Sequence, residues 1–208
     1  MAPNNSSQPR TSFRVEERPQ FTVVTMTSSD GMNRLPLAIF LELGEILARL
    51  AKPKPALPLI LTGNDKFFST GADLTEIREL YGDDAIQFSR RGQQVTDALD
   101  RFPALTIAAI RGYCMGGSMD TAMACDVRIA SPDAVFGHRG AALGILTGWG
   151  GTQRLPRLIG RARALQMFLA GEVVNAQEAL RIGLVNEVAD DPLPAAMEVA
   201  TKVKTLNE

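Results

Sequence analysis

The sequence contains few of the residues on which metal and thiol chemistry depend. Its 208 residues include one histidine and two cysteines. A structural or catalytic metal usually takes three or four His, Cys or carboxylate ligands at characteristic spacings, so we predict no protein-bound metal. Cys114 and Cys125 do not form a disulfide-type pattern. We therefore expect free thiols, a reducing compartment and a cytoplasmic location.

An excess of one charge and a long apolar run are also missing. The 22 Lys and Arg residues nearly balance the 23 Asp and Glu residues, which leaves a formal charge of −1. This balance argues against a nucleic-acid partner. No apolar run approaches the roughly 20 residues of a transmembrane helix, so we expect no membrane association. The polar, proline-containing start lacks the apolar segment of a secretory signal, and we predict a flexible tail over residues 1–14.

Two common catalytic and cofactor motifs are absent too. The segment GYCMGG (residues 112–117) does not satisfy the G-x-G-x-x-G pattern of dinucleotide-binding folds. Ser118 lacks the G-x-S-x-G context of a hydrolase nucleophile. With 45% hydrophobic residues, the chain has enough apolar side chains to form one well-packed domain.

The segment from residue 103 to residue 140 organises this domain. Residues 105–110 form a short apolar run that predicts a buried strand, residues 115–118 predict a tight glycine turn, and apolar residues then recur at helical spacing. A strand that leads through a glycine turn into a helix leaves backbone N–H groups unpaired at the positive end of the helix dipole. The segment therefore predicts either a site for an anion or oxyanion or a plain tight turn.

A second segment of the same kind precedes it. Residues 21–27 and 57–62 predict strands, and the apolar stripe over residues 37–50 predicts the helix between them. Asp73 followed by Glu76 predicts a capping box, with a helix that begins at Leu74. Ala72 then lies at a helix start after a strand, as Gly117 does. Two such amides that face each other would form an oxyanion hole.

Four segments together resemble the enoyl-CoA hydratase/isomerase (crotonase) superfamily. They are FFSTGADL, RGYCMGGSMDTAMACDVRIA, LGILTGWGGTQRLPRLIG and NAQEALRIGLVNEV, in the order of the family. The resemblance implies an α/β fold with a crotonase-like ββα spiral core over residues 15–190 and an acyl-CoA thioester substrate. Coenzyme A would be part of this substrate, so no separate cofactor is expected. It also implies fatty acid metabolism and, if the C-terminal segment of the family is present, a homotrimer or a dimer of trimers.

The resemblance has one consequence for the end of the chain. Residues 191–208 are expected to start the C-terminal helical segment of the family, most of which is missing from the sequence. Two interpretations stay open: the protein is naturally short, or the sequence is truncated.

The site residues are likewise implied by the resemblance. The oxyanion donors fall on the N–H groups of Ala72 and Gly117, and the first catalytic glutamate of hydratases falls on Asp120. The second glutamate falls on Gly140. The acyl-CoA pocket would involve Phe68, Ser69, Gly71, Ala72, Asp73, Leu74, Tyr113, Met115, Gly116, Gly117 and Gly140.

The two changed glutamate positions affect the expected reaction. Asp120 is shorter than glutamate by one methylene, and Gly140 has no carboxylate. Because hydration shares its proton transfers between two glutamates, we predict slow hydration and favour reactions with one base, such as isomerisation or decarboxylation. Gly140 would leave room for a substrate carboxylate, attended by His138 or Arg139, although we favour a structural histidine and a surface arginine as the interpretation of these two residues.

Three further hypotheses remain open at this point. Dihydroxynaphthoyl-CoA synthases carry the same glycine and are thought to use bicarbonate as the base, but their loop aspartate falls here on Thr147. A non-catalytic acyl-CoA-binding paralogue would also tolerate Gly140. A hydrolase would pair Cys114 as the nucleophile with His138 as the base.

Overall fold

The computed structural model of the chain describes residues 10–206, which form three β-sheets and eight α-helices. The strands are β1 (Thr11–Glu17), β2 (Thr22–Ser28), β3 (Arg34–Leu35), β4 (Leu59–Thr62), β5 (Phe67–Ser69), β6 (Gly71–Ala72), β7 (Thr106–Ile110), β8 (Tyr113–Met115), β9 (Val127–Ala130), β10 (Val135–Gly137), β11 (Val173–Asn175) and β12 (Glu187–Val188). The helices are α1 (Leu37–Leu50), α2 (Leu74–Arg78), α3 (Gly82–Asp100), α4 (Gly117–Met123), α5 (Gly151–Ile159), α6 (Arg161–Leu169), α7 (Ala176–Arg181) and α8 (Pro192–Leu206).

The largest sheet has six strands in the order β1-β2-β4-β7-β9-β12. All neighbours are parallel except β1, which runs antiparallel to β2. Both faces of its central strands are buried: Ala196 and Ala200 of α8 pack on Ile60 and Ile107, and the main core lies on the other face. Burial on both faces explains why these strands read as continuous apolar runs without alternation.

A second sheet, ordered β11-β10-β8-β5, positions the site. Strands β5, β8 and β10 are parallel to one another, and β11 is antiparallel to β10. The chain passes from β4 to β5, from β7 to β8 and from β9 to β10, so that each turn contributes one strand to each sheet. The carboxyl ends of the three parallel strands meet at one edge, where open α/β sheets commonly bind ligands.

Several sequence predictions are confirmed and one is wrong. Helix α1 has the predicted bounds 37–50. Asn175 followed by Glu178 also predicts a helix cap, and the Asn175 side chain accepts a hydrogen bond from Glu178 N (2.9 Å) at the start of α7. The tail predicted over residues 1–14 is too long, because residues 11–14 belong to β1. Phe13 and Val15 pack on the core, while Ser12 and Arg14 are exposed, which is the alternation of an edge strand. Residues 1–9 lie outside the described residues.

The predicted capping box at α2 is only half formed. Asp73 caps α2 by accepting a hydrogen bond from Thr75 N (2.8 Å). Glu76, however, accepts from Leu37 N (2.8 Å), the first residue of α1. Pro36 precedes α1 and provides no side-chain acceptor, so a carboxylate from another element satisfies that N–H group. This contact ties the loop at Ala72 to α1.

The sequence predicts a helix over residues 194–203, and the C-terminal helix α8 begins two residues earlier, at Pro192. Within residues 10–206, no helix combines the length and the apolar composition needed to cross a bilayer.

Candidate active site

The two segments with predicted oxyanion donors lie against each other. Ala72 follows β5 and Gly117 follows β8, and these strands are neighbours in the four-stranded sheet. A Cβ atom built on Gly117 would lie 3.4 Å from Ala72 N. Since Gly117 is the first residue of α4, its N–H group has no acceptor within that helix. The structure thus brings together two backbone segments that the sequence separates by 45 residues.

A chain of buried hydrogen bonds fixes these segments. Ser118 Oγ donates to Ser69 O (2.6 Å), and Ser69 Oγ donates to Asn33 O (2.6 Å). Gly71 N in turn donates to Ser69 Oγ (3.0 Å). All three polar side chains are fully buried. Such fixed backbone donors need no rearrangement when negative charge develops next to them.

The segments border a cavity of about 400 Å³. Its apolar lining comes from α2, α3, the segment between them and the loop before α5; it includes Leu74, Ile77, Leu80, Phe88, Leu143, Ile145, Leu146 and Trp149. The lining also contains Ala72 and Gly117 and the polar residues His138, Arg139 and Thr147. An apolar cavity with a few convergent polar groups is typical of a small-molecule site.

The predicted substrate-binding residues divide into two sets. Those that line the cavity are Ala72, Leu74, Met115, Gly116, Gly117 and Gly140. Those that do not are Phe68, Ser69, Gly71, Asp73 and Tyr113. Phe68 and Ser69 are buried in the core, whereas Tyr113 is exposed with its ring 5.4 Å from that of Phe67. The binding roles of these residues remain predictions.

Asp120 lies behind the cavity wall. Its side chain is fully buried in the first turn of α4, and Thr147 Oγ1 donates a hydrogen bond to Asp120 Oδ2. Asp120 Oδ1 lies 3.0 Å from His138 Nε2, without the alignment of a hydrogen bond. A Cβ on Gly151, the first residue of α5, would collide with Oδ1. The positive ends of two helix dipoles therefore favour a negative charge at this position.

The space beside Gly140 is occupied. Gly140 opens a short 3₁₀ helix, Gly140–Leu143, and a Cβ built on it would lie 2.6 Å from the backbone oxygen of Ile145. The expected room for a substrate carboxylate at the Cβ position is therefore absent. Arg139 is exposed at the cavity border, and His138 is buried.

The two cysteines are buried away from the cavity. Burial raises the pKa of the Cys114 thiol above its usual range and that of Cys125 to about 12. The nearest polar partner of Cys114 is Ser118 Oγ at 3.8 Å, and Cys114 does not line the cavity. The hydrolase hypothesis with Cys114 as the nucleophile is therefore wrong, since a thiolate needs an exposed and electropositive environment.

We expect both thiols to resist modification by thiol reagents in the folded protein. Because the folded-state pKa values lie above the unfolded value of 9.0, thiolate is suppressed at pH 8 and the folded state loses relative stability as the pH rises past 9. Titration with a disulfide dye at pH 8 should label neither cysteine within minutes and both in denaturant. Rapid labelling of the native chain would contradict this.

Solved structures with the same architecture define the class of fold. The enoyl-CoA hydratase from Bacillus anthracis superposes with a TM-score of 0.86 at 34% identity, covering 92% of this chain and 76% of that one. DspI from Pseudomonas aeruginosa superposes with a TM-score of 0.88 at 36% identity, covering 96% and 77%. The predicted crotonase-like α/β fold is confirmed.

Sequence comparisons then give the family. The family model described as enoyl-CoA hydratase/isomerase matches residues 16–205. A probable enoyl-CoA hydratase of Bacillus subtilis is 39% identical over 90% of this chain and 71% of its own length. A short-chain-enoyl-CoA hydratase of Clostridium acetobutylicum is 36% identical over 91% and 74%. The chain belongs to the enoyl-CoA hydratase/isomerase family and is an acyl-CoA-processing enzyme of that type.

Proposed function

We propose that the chain stabilises the enolate of an acyl-CoA thioester and catalyses reactions that need a single proton relay. The thioester oxygen would accept hydrogen bonds from the N–H groups of Ala72 and Gly117. The observation that supports this most is the contact between these two strand-end segments at the wall of the cavity. Each such donor contributes about 3 kcal/mol to a transition state with an oxyanion.

The apolar residues that line the cavity support an acyl group as the ligand. Leu74, Leu143 and Leu146 border the cavity although their exposed fractions are 55%, 58% and 59%. Exposed apolar side chains around a cavity often mark a binding site. A thioester placed at the amides would direct its acyl chain or pantetheine arm along these leucines.

The preference for one proton relay follows from the two glutamate positions. Gly140 has no carboxylate and its Cβ position is blocked by Ile145 O. Asp120 is separated from the cavity by His138 and Thr147. The cavity wall therefore lacks the two carboxylates that, in hydratases, activate water and protonate the α carbon. Isomerisation needs only one group that removes and returns a proton.

Acyl-CoA binding provides the direct test. We expect calorimetry to give stronger binding for acyl-CoA than for free coenzyme A, with affinity rising by up to about fourfold per methylene until the cavity is filled. The measurement uses the chain in its native assembly, proposed as a homotrimer and checked by light scattering. Absence of any thioester binding at millimolar concentration would refute the proposal.

Arg139 supports decarboxylation as a second candidate reaction. Its exposed side chain borders the cavity and forms no ion pair within residues 10–206. It would therefore be available for a carboxylate at the far end of an acyl-CoA substrate, whose loss as CO₂ also generates the enolate. Release of CO₂ from acyl-CoA with a second carboxylate would distinguish this reaction from isomerisation. A cytoplasmic location is proposed from the two unpaired cysteines, and a role in fatty acid metabolism from the family resemblance.

A further inference from the structure

A cluster of three polar side chains, Asp120, His138 and Thr147, connects the buried core to the cavity. His138 and Thr147 line the cavity, whereas Asp120 lies behind them. The exposed fraction of the side chain is 5% for His138 and zero for Asp120. The carboxylate therefore does not line the cavity itself but contacts two residues that do. His138 follows β10, next to the strand that leads to Gly117, so the histidine and the two amides lie at the same sheet edge.

The Asp120 carboxylate has one satisfied and one unsatisfied oxygen. Oδ2 accepts from Thr147, but Oδ1 and His138 Nε2, 3.0 Å apart, have no hydrogen-bond partner among residues 10–206. Leaving either atom unpaired in the interior is costly. Their 3.0 Å separation puts each atom within hydrogen-bond distance of the other. A small rotation of the imidazole would direct an Nε2–H group at Oδ1 and leave Nδ1 as the proton acceptor.

We propose that His138 transfers the proton at the cavity and that Asp120 is a positioning residue that acts through it. This rests on the proposed enolate function and changes the assignment of Asp120 as the proton-transfer group. The ring of Phe168, 5.0 Å from that of His138, packs against the imidazole and restricts its orientation.

The step needs no further reactant. The α C–H bond of the acyl group breaks, its proton passes to His138 Nδ1, and its electron pair moves into the thioester so that the oxygen becomes negative between Ala72 N and Gly117 N. Return of the proton to carbon restores neutral histidine. Before that return, the N–H proton can exchange with solvent, so in D₂O the α position gains deuterium.

Deuterium exchange of butyryl-CoA in D₂O, followed by mass spectrometry, tests the assignment. A positioned acid–base group accelerates proton transfer by about 10²–10⁴-fold. We therefore expect His138→Gln and His138→Ala to catalyse deuterium exchange at least about 100-fold more slowly than the native chain. Their affinity for butyryl-CoA should stay within about threefold of the native value. Added imidazole should restore exchange in His138→Ala. The matched control is Asp133→Asn, which removes an exposed carboxylate outside the cavity. This variant should catalyse deuterium exchange at the wild-type rate.

Asp120 is tested in combination with His138. Asp120→Asn should lower the exchange rate about tenfold or more without changing the affinity, and should have little further effect in the His138→Ala background, because residues that act as a unit are not additive. Wild-type exchange by His138→Gln, or multiplicative effects in the double variant, would overturn the proposal. Butyryl-CoA binding without exchange in the native chain would overturn it as well, whereas absence of binding would refute the proposed function itself.

Discussion

Replacing Gly71 by alanine is expected to reduce acyl-CoA turnover by at least about 100-fold, which is the effect of losing one oxyanion donor. Gly71 has a φ of +86°. A Cβ on it would collide with the backbone oxygen of Met115 and lie 2.7 Å from Gly117 N. Both neighbours are backbone atoms and cannot move aside as a flexible side chain does. The methyl group therefore separates the two amides that the mechanism requires together.

The measurement combines deuterium exchange with butyryl-CoA binding, and Gly82→Ala is the matched control. Gly82 also has a positive φ (+52°), but a Cβ there meets no atom within 4 Å. Both variants lose roughly 1 kcal/mol from backbone strain, and the backbone collisions cost Gly71→Ala more. Exchange is therefore compared at a temperature at which thermal unfolding shows both variants to be folded. Only Gly71→Ala should lose exchange activity. Equal activities of the two variants would show that the amides at Ala72 and Gly117 do not form the oxyanion site.

The paired amides were predictable from sequence because their signals are local. A glycine turn between a strand and a helix determines where unpaired N–H groups lie, and this pattern occurs before both Leu74 and Gly117. Strands, however, were assigned only to longer apolar runs, such as those at 21–27, 57–62 and 105–110. The short strands β5 and β8, which place the amides next to each other, have three residues each and no independent sequence signal.

Contacts between distant residues were not predictable. Glu76 was expected to cap its own helix, but it caps α1, because Pro36 leaves the N–H group of Leu37 without a local acceptor. Helix α3 was not assigned, although the spacing of its buried residues Phe88, Val95 and Leu99 indicates a helical face. Without α3, the sequence gives no indication of which side chains close the cavity.

Thr147 and His138 show the same limit at the site. The sequence relates Thr147 only to the position of an aspartate in other family members, and it leaves His138 open between structural and functional roles. Their shared contact with Asp120 joins residues that are 27 and 18 positions apart. The sequence contains no periodicity that predicts such a cluster. It depends on the register between β8 and β10, which places His138 beside the start of α4.

The native chain is expected to hydrate crotonyl-CoA at least about 100-fold more slowly than the Clostridium acetobutylicum short-chain-enoyl-CoA hydratase measured beside it, because catalytic groups displaced by about 1 Å can already cost that factor. Gly140 provides no carboxylate, and Asp120 is held behind His138 and Thr147. Hydration would thus proceed without one of the two carboxylates that activate water and protonate the α carbon. Hydration is followed by the loss of absorbance of the conjugated thioester.

Gly140→Glu should not restore hydration, even though it recreates the glutamate of hydratases at this position. The new Cβ would lie 2.6 Å from Ile145 O and 3.2 Å from Ile145 Cγ1, so the 3₁₀ segment must shift and the carboxylate cannot take its place without moving the loop. The matched control is Ala142→Glu, which adds a carboxylate to an exposed position of the same segment. We expect both variants to hydrate as slowly as the native chain, with only Gly140→Glu losing stability. A rise of tenfold or more in Gly140→Glu alone would show that the loop yields and that a second carboxylate is all the site lacks.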